Sequence, residues 1–210
     1  VLTAQPEKGG VSMFPVQADA LAAQIDGCLA DGPVQAIKLG MLAQGELVQT
    51  IMERLLRLPA TPTVIDPVLA TNNGEPLWIS GSRRAAYREL CRLRPVLTPN
   101  LLELATLTGQ LPAVDEAQEI RQAEQLLAWG PTAVLIKGGH RDGAVDDFLV
   151  TAEGEEYRFE GQRMKTNARG KGCRLASALA TFLGQGLPLR DAVERARGVV
   201  RVHLTAFSGK

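Results

Sequence analysis

The chain predicts an α/β domain built on a mostly parallel sheet covered on both faces. Apolar runs of strand length alternate with stretches of helical periodicity. With 210 residues, 45% of them hydrophobic, the chain suits a single domain, 1–210, with a sizeable core. Polar residues follow several of the strand-like runs, and in such sheets ligands bind beyond the carboxyl ends of the strands.

Val1-Leu2-Thr3-Ala4-Gln5 reads as the end of a strand already under way, so a further segment is expected before it. Residues Val34–Leu39 form the next strand-like run. Gly45–Leu58 then places Leu47, Ile51 and Leu55 on one stripe, which is helical spacing. Thr63–Asp66 is a short β-branched strand. Ser82–Leu93 is helical, with Tyr87, Leu90 and Cys91 on its inner face, and Val96–Thr98 is a third strand. Asp115–Trp129 is a helix with an Asp cap and an acidic first turn. Ala133–Ile136 is a fourth strand. Phe148–Val150 and Tyr157–Phe159 flank Gly154 and predict a hairpin. Two helices close the chain, near Cys173–Gly184 and Leu189–Leu204.

Formal net charge is +0, which gives no electrostatic case for nucleic acid or membrane binding. No apolar run reaches the roughly 18 residues of a membrane span. Cys28, Cys91 and Cys173 form no C-x-x-C pair, and only His140 and His203 supply imidazole, a poor basis for structural zinc. A reducing, cytoplasmic compartment is expected.

The residues with chemistry cluster after strands. Arg169-Gly170-Lys171-Gly172-Cys173-Arg174-Leu175 runs straight into a helix. Glycines before a helix start let backbone N–H groups converge, and the helix N-terminus favours a phosphate or a developing anion. The same field is expected to lower the Cys173 pKa and make the thiol a base or nucleophile. The loop is not a Walker A motif, which needs Gly at 165, where Lys165 stands, and Ser or Thr at 172. Lys171 and Arg174 oppose the helix dipole, which fits an anionic ligand or simple solvent exposure; a plain tight turn also explains the glycines.

Asn100 and Glu103 share a face of a helix's first turn. They suit a hydrated magnesium ion, or equally an Asx cap with Glu at N3. Asp66 sits where it can meet a metal or polyphosphate, or end a strand in a turn. Lys137, in Lys137-Gly138-Gly139-His140, can steady a triphosphate as a point charge, or lie on the surface. His140 suits a hydrogen-bonding loop residue better than a catalyst.

Taken together the motifs resemble the hydroxymethylpyrimidine/phosphomethylpyrimidine kinases of thiamine biosynthesis, in the ribokinase-like superfamily. The matching stretches are Leu2–Gln5, Ala36–Leu42, Val64–Val68, Leu97–Glu103, Ile136–His140 and Gly170–Cys173, in family order and across nearly the whole chain. The resemblance implies a three-layer α/β/α sandwich, an ATP- and magnesium-dependent kinase, a pyrimidine substrate and a homodimer. It assigns Asn100 and Glu103, with Asp66, to magnesium. Lys137 and Asn100 are assigned to ATP, and Gly170, Lys171, Gly172 and Cys173 to an anion hole with Cys173 as base. Gln5, Met41 and Val68 match positions lining the pyrimidine pocket. The loop departs from the family's usual His-Gly-Thr-Gly-Cys-Thr, and the family's first strand and Gly-rich turn do not precede Val1. A pyridoxal or pyridoxine kinase and a catalytically weak ligand-binding or regulatory homologue are the alternatives.

Overall fold

A computed structural model describes residues 1–4, 10–58, 61–71, 74–138, 146–161 and 170–207. Gln5, Gly139, His140, Lys165 and Arg169, named above, lie outside these described residues. Strands β1 (Leu2–Ala4) and β2 (Ser12–Phe14) pair antiparallel as a separate hairpin. Helix α1 (Ala18–Ala30) leads to β3 (Ile37–Leu39), α2 (Glu46–Leu55), β4 (Thr63–Ile65) and α3 (Arg83–Leu90), which a 3-10 turn at Cys91–Leu93 extends. Then come β5 (Val96–Leu97), α4 (Leu101–Thr108), α5 (Glu116–Leu127), β6 (Ala133–Ile136), β7 (Asp147–Thr151) and β8 (Glu156–Phe159). Helices α6 (Lys171–Gly184) and α7 (Leu189–Phe207) complete the described chain. No helix among the described residues is long and apolar enough to cross a membrane.

The main sheet has six strands in the order β3-β4-β5-β6-β7-β8. The first four run parallel, and β7 and β8 form the expected antiparallel hairpin. Strand alternation sends successive residues to opposite faces. Ile65, Leu97, Val134 and Ile136 enter the core that holds Leu90 of α3, Leu104 of α4 and Leu126 of α5. Val64, Val96, Ala133 and Leu135 enter the other, with Leu175 and Leu179 of α6 and Val193 of α7. Both faces are thus covered, giving the three layers expected.

The anticipated stripe Leu47, Ile51 and Leu55 is buried, as is the inner face Tyr87, Leu90 and Cys91. Three elements differ from the sequence reading. The run from Val34 pairs only from Ile37, because its neighbour β4 begins opposite it at Thr63. The strand read at the start of the chain is present as Leu2–Ala4, but it pairs with β2 in a separate exposed hairpin and not with the six-stranded sheet. Helix α1 was not anticipated: its stripe of Leu21, Ile25 and Leu29 is thin among alanines and is only half-buried.

Candidate functional site

Alternation along the strands builds the site. Val64, Val96 and Leu135 point into the α6–α7 core, so Asp66, Thr98 and Lys137, two residues further on, fall on that same face just past the strand ends. Helix α6 packs on this face against β3 and β4, and its N-terminus comes down over the three polar residues. Asp66 and Lys137 line a cavity of about 1330 Å³, whereas Thr98 is fully buried and is not part of its lining.

Asp66 is buried, and Lys137 Nζ lies 2.7 Å from its Oδ1 and 3.4 Å from Glu103 Oε2. Burial pulls the Lys137 pKa down, but Glu103 and Asp66 outweigh it and hold the ammonium above its ordinary range. Burial raises the Glu103 pKa, with Lys137 and the Asn100 N–H opposing. Glu103 also closes a capping box: its backbone N–H donates to Asn100 Oδ1 at 2.9 Å, and its Oε2 accepts from the Asn100 N–H at 2.7 Å. The cap reading of this pair is thus observed. The Asn100 carboxamide oxygen is committed to the cap, whereas the Glu103 carboxylate faces Lys137.

Gly170 caps α6 with a left-handed φ of 72°, and the first intrahelical bond is Arg174 N–H to Gly170 O at 3.0 Å. The N–H groups of Lys171, Gly172 and Cys173 consequently have no intrahelical acceptor, and these residues line the cavity. A Cβ on Gly172 would lie 3.1 Å from Lys137 Nζ, so the bare glycine lets the helix start meet the lysine. This is a place for an anion, with amides on one side and an ammonium on the other.

Cys173 corrects one expectation. Its pKa is raised rather than lowered: burial in the cleft wall is the largest cause, and the Asp66 carboxylate adds to it. Lys38 and Lys137 pull the other way without reversing the shift. Cys173 is nevertheless accessible from the cleft. It therefore sits as a protonated thiol above Asp66, not as a standing thiolate.

Of the pyrimidine-pocket residues, Val68 lines the cavity; Met41 is half-buried and is not part of its lining. Gln5 lies outside the described residues. Three residues escaped the sequence reading. Lys38 places its Nζ 4.0 Å from Asp66 Oδ2, and a lysine inside the apolar run Ile37–Leu39 was the signal available. Asp147 and Arg197 tie β7 to α7 beside the site, with Nε to Oδ2 at 2.8 Å; no sequence spacing announces that pair.

Ammonium, amide cradle and carboxylates converging beyond the ends of a parallel sheet define a small-molecule phosphotransferase of the ribokinase-like kind. The phosphomethylpyrimidine kinase family profile matches residues 1–207, and the chain belongs to that family of ATP-dependent kinases. It is 36% identical over 206 residues to the hydroxymethylpyrimidine/phosphomethylpyrimidine kinase of Rhizobium meliloti, covering 98% of this chain and 77% of that one. To the Escherichia coli enzyme of the same name it is 38% identical over 201 residues, 93% of this chain and 74% of the other. The crystal structure of phosphomethylpyrimidine kinase from Clostridium difficile superposes with a TM-score of 0.80 at 28% identity, over 96% of this chain and 83% of that one. Pyridoxal kinase from Staphylococcus aureus in complex with AMP-PCP and pyridoxal does so at 0.80 and 25% identity, over 95% and 72%.

Proposed function

We propose that this chain transfers the γ-phosphoryl group of ATP to hydroxymethylpyrimidine and to its monophosphate. The observation that carries this reading is the junction of Lys137 with the first turn of α6. Gly172 brings N–H groups that lack intrahelical acceptors within reach of an ammonium already oriented by Asp66 and Glu103. Phosphoryl transfer asks the protein mainly for positioning and charge stabilisation, and this junction supplies both. Lys137 and the amides of Lys171, Gly172 and Cys173 hold the migrating group, and the alcohol acceptor lies toward Val68. Cys173 relays the hydroxyl proton late, as the oxygen–phosphorus bond forms: its own S–H proton passes to the neighbouring Asp66 carboxylate while the sulfur takes the proton of the hydroxyl.

Magnesium fits the donor set. Asp66 Oδ2 is buried without a hydrogen bond among the described residues, and Glu103 adds a second hard oxygen donor. No three His, Cys, Asp or Glu side chains among the described residues form a cage for an ion. Asp66 and Glu103 would therefore hold magnesium together with its waters and the nucleotide phosphates, where the ion would neutralise phosphate charge. The Asn100 side chain serves this arrangement by fixing Glu103. The protein acts as a homodimer, a state that sedimentation velocity tests.

The decisive assay incubates the purified protein with Mg–ATP and hydroxymethylpyrimidine, and separately with pyridoxal. ADP and phosphorylated pyrimidine are expected, with pyridoxal the poorer acceptor. Pyrimidine binding without ATP consumption would replace the kinase by a ligand-binding homologue, and a preference for pyridoxal would reassign the substrate.

A further inference from the structure

Lys38 is the charged residue of β3. It pairs in register with Val64, so its side chain shares the face that α6 covers. Gly40, two residues on, shares that face as well. A Cβ there would stand 2.6 Å from Lys38 Nζ, so the ammonium lies across the strand end only because Gly40 has no side chain. From there it faces Asp66 Oδ2 at 4.0 Å, the buried oxygen that has no hydrogen bond among the described residues.

The two lysines of the floor are filled differently. Lys137 is held by carboxylates at 2.7 and 3.4 Å and is 14% exposed. Lys38 makes only the long contact to Asp66 among the described residues and is 23% exposed. Lys137 and the α6 amides are already spoken for by the migrating phosphoryl. An acceptor that carries its own phosphate brings a second anion onto a floor where the charges of Lys38 and Lys137 cancel those of Asp66 and Glu103. It requires a further cation with a free coordination direction, which Lys38 beside Asp66 supplies.

We propose that Lys38 binds the phosphate of the phosphorylated acceptor and so sets the preference of the site between pyrimidine monophosphate and pyrimidine alcohol. The inference rests on the kinase reading above. With the monophosphate, one of its phosphate oxygens forms the new bond to the γ-phosphorus. The bond from that phosphorus to the β–γ bridging oxygen breaks, and ADP departs with the electron pair. The attacking oxygen is already ionised, so no proton has to be removed and the Cys173 thiol has no part in the step.

The two acceptors should therefore separate two residues. Lys38→Met is expected to lower kcat/KM for the monophosphate at least tenfold more than for the alcohol, chiefly through KM, and Lys38→Arg should recover most of the loss. Cys173→Ala should show the reverse bias, harming the alcohol more. Titration calorimetry without ATP gives an independent reading: the Kd of pyrimidine monophosphate should weaken at least tenfold in Lys38→Met. Gly40→Ala, which displaces the ammonium without removing it, should shift the same ratio in the same direction and serves if Lys38→Met fails to fold. Equal losses for the two acceptors, or a monophosphate Kd unchanged in both Lys38→Met and Gly40→Ala, would overturn the proposal. A native protein that phosphorylates neither acceptor would sink the kinase reading instead, while the calorimetric comparison would still decide whether Lys38 holds the phosphate.

Discussion

Two buried ion clusters lie side by side at the same end of the sheet, and they differ in how completely they are satisfied. In the first, Arg197 donates to Asp147 Oδ2 at 2.8 Å and to the carbonyls of Phe159 and Glu160, each at 2.9 Å. The other oxygen of Asp147 accepts the Gly138 N–H at 2.9 Å. In the second, Lys137 is held by Asp66 and Glu103, but Asp66 Oδ2 has no hydrogen bond among the described residues and three α6 amides lack intrahelical acceptors. Buried polar groups are nearly always paired, and leaving them unpaired costs stability. The saturated cluster is therefore read as a structural clasp joining β6, β7 and α7. The unsaturated one matches the phosphate-binding role proposed for it.

The largest effect is expected on the ligand side. Cys173→Ala should reduce kcat for the alcohol acceptor by about 10³-fold, the middle of the range for a lost proton-transfer group. Its melting temperature should hardly move, because Cys173 is exposed. Steady-state kinetics and a thermal melt on one preparation check both halves. A mutant retaining most of its turnover would leave Asp66 or solvent to take the hydroxyl proton directly.

The clasp should behave in the opposite way. Arg197→Met strands the largely buried Asp147 and removes a donor from two carbonyls, of which that of Glu160 is exposed; breaking a buried pair costs about 3–5 kcal/mol. At about 2–4 °C per kcal/mol for a domain of this size, the melting temperature should fall by roughly 10 °C. Turnover per folded molecule should fall far less than in Cys173→Ala. Loss of turnover at an unchanged melting temperature would erase the distinction between clasp and site.

Gly172→Ala sharpens the comparison at the contact itself. The new methyl would sit 3.1 Å from Lys137 Nζ, so the ammonium has to give way by a few tenths of an ångström. Small displacements of positioning groups are expensive in rate, and a loss of about tenfold in kcat/KM is expected. Replacing Gly by Ala in a helix favours the fold by about 0.5–1 kcal/mol. Lower activity with an equal or higher melting temperature is the expected pair of results; a destabilised but fully active variant would mean that Lys137 is placed by something other than this helix.

Most of the sheet could be read in advance, because strands buried on both faces leave apolar runs such as Ala133–Ile136 that hold whatever surrounds them. The floor was legible for a related reason: once Val64, Val96 and Leu135 face one core, Asp66, Thr98 and Lys137 must emerge on the same side. Helix α4 was visible only through its cap, since Leu101–Leu104 is too evenly apolar to show a stripe. The sign of the Cys173 shift was not legible. Sequence shows the helix start that stabilises a thiolate, but neither the burial that is the larger cause of the shift nor the carboxylate from a strand more than a hundred positions away. Arg197 was hidden for the same reason, as its partners come from β7 and β8 and nothing in α7 marks it.

Lys171 is where the smallest effect is expected. It is exposed on the first turn of α6, in the lining of the cavity, and makes no ion pair among the described residues. A cation at a helix N-terminus is unfavourable by about 0.3–1 kcal/mol, so Lys171→Thr should stabilise the protein by that amount. If the ammonium instead grips nucleotide phosphate, the same change should weaken ATP. Exposed ionic contacts are worth about 0.2–1 kcal/mol, which converts to an increase in the KM for ATP of up to about fivefold. A gain in stability together with a higher KM would place Lys171 on the ligand side of the divide between clasp and site. A gain in stability with unchanged or improved kinetics would make it a solvated side chain, and the anion would then be held by Lys137 and the amides alone.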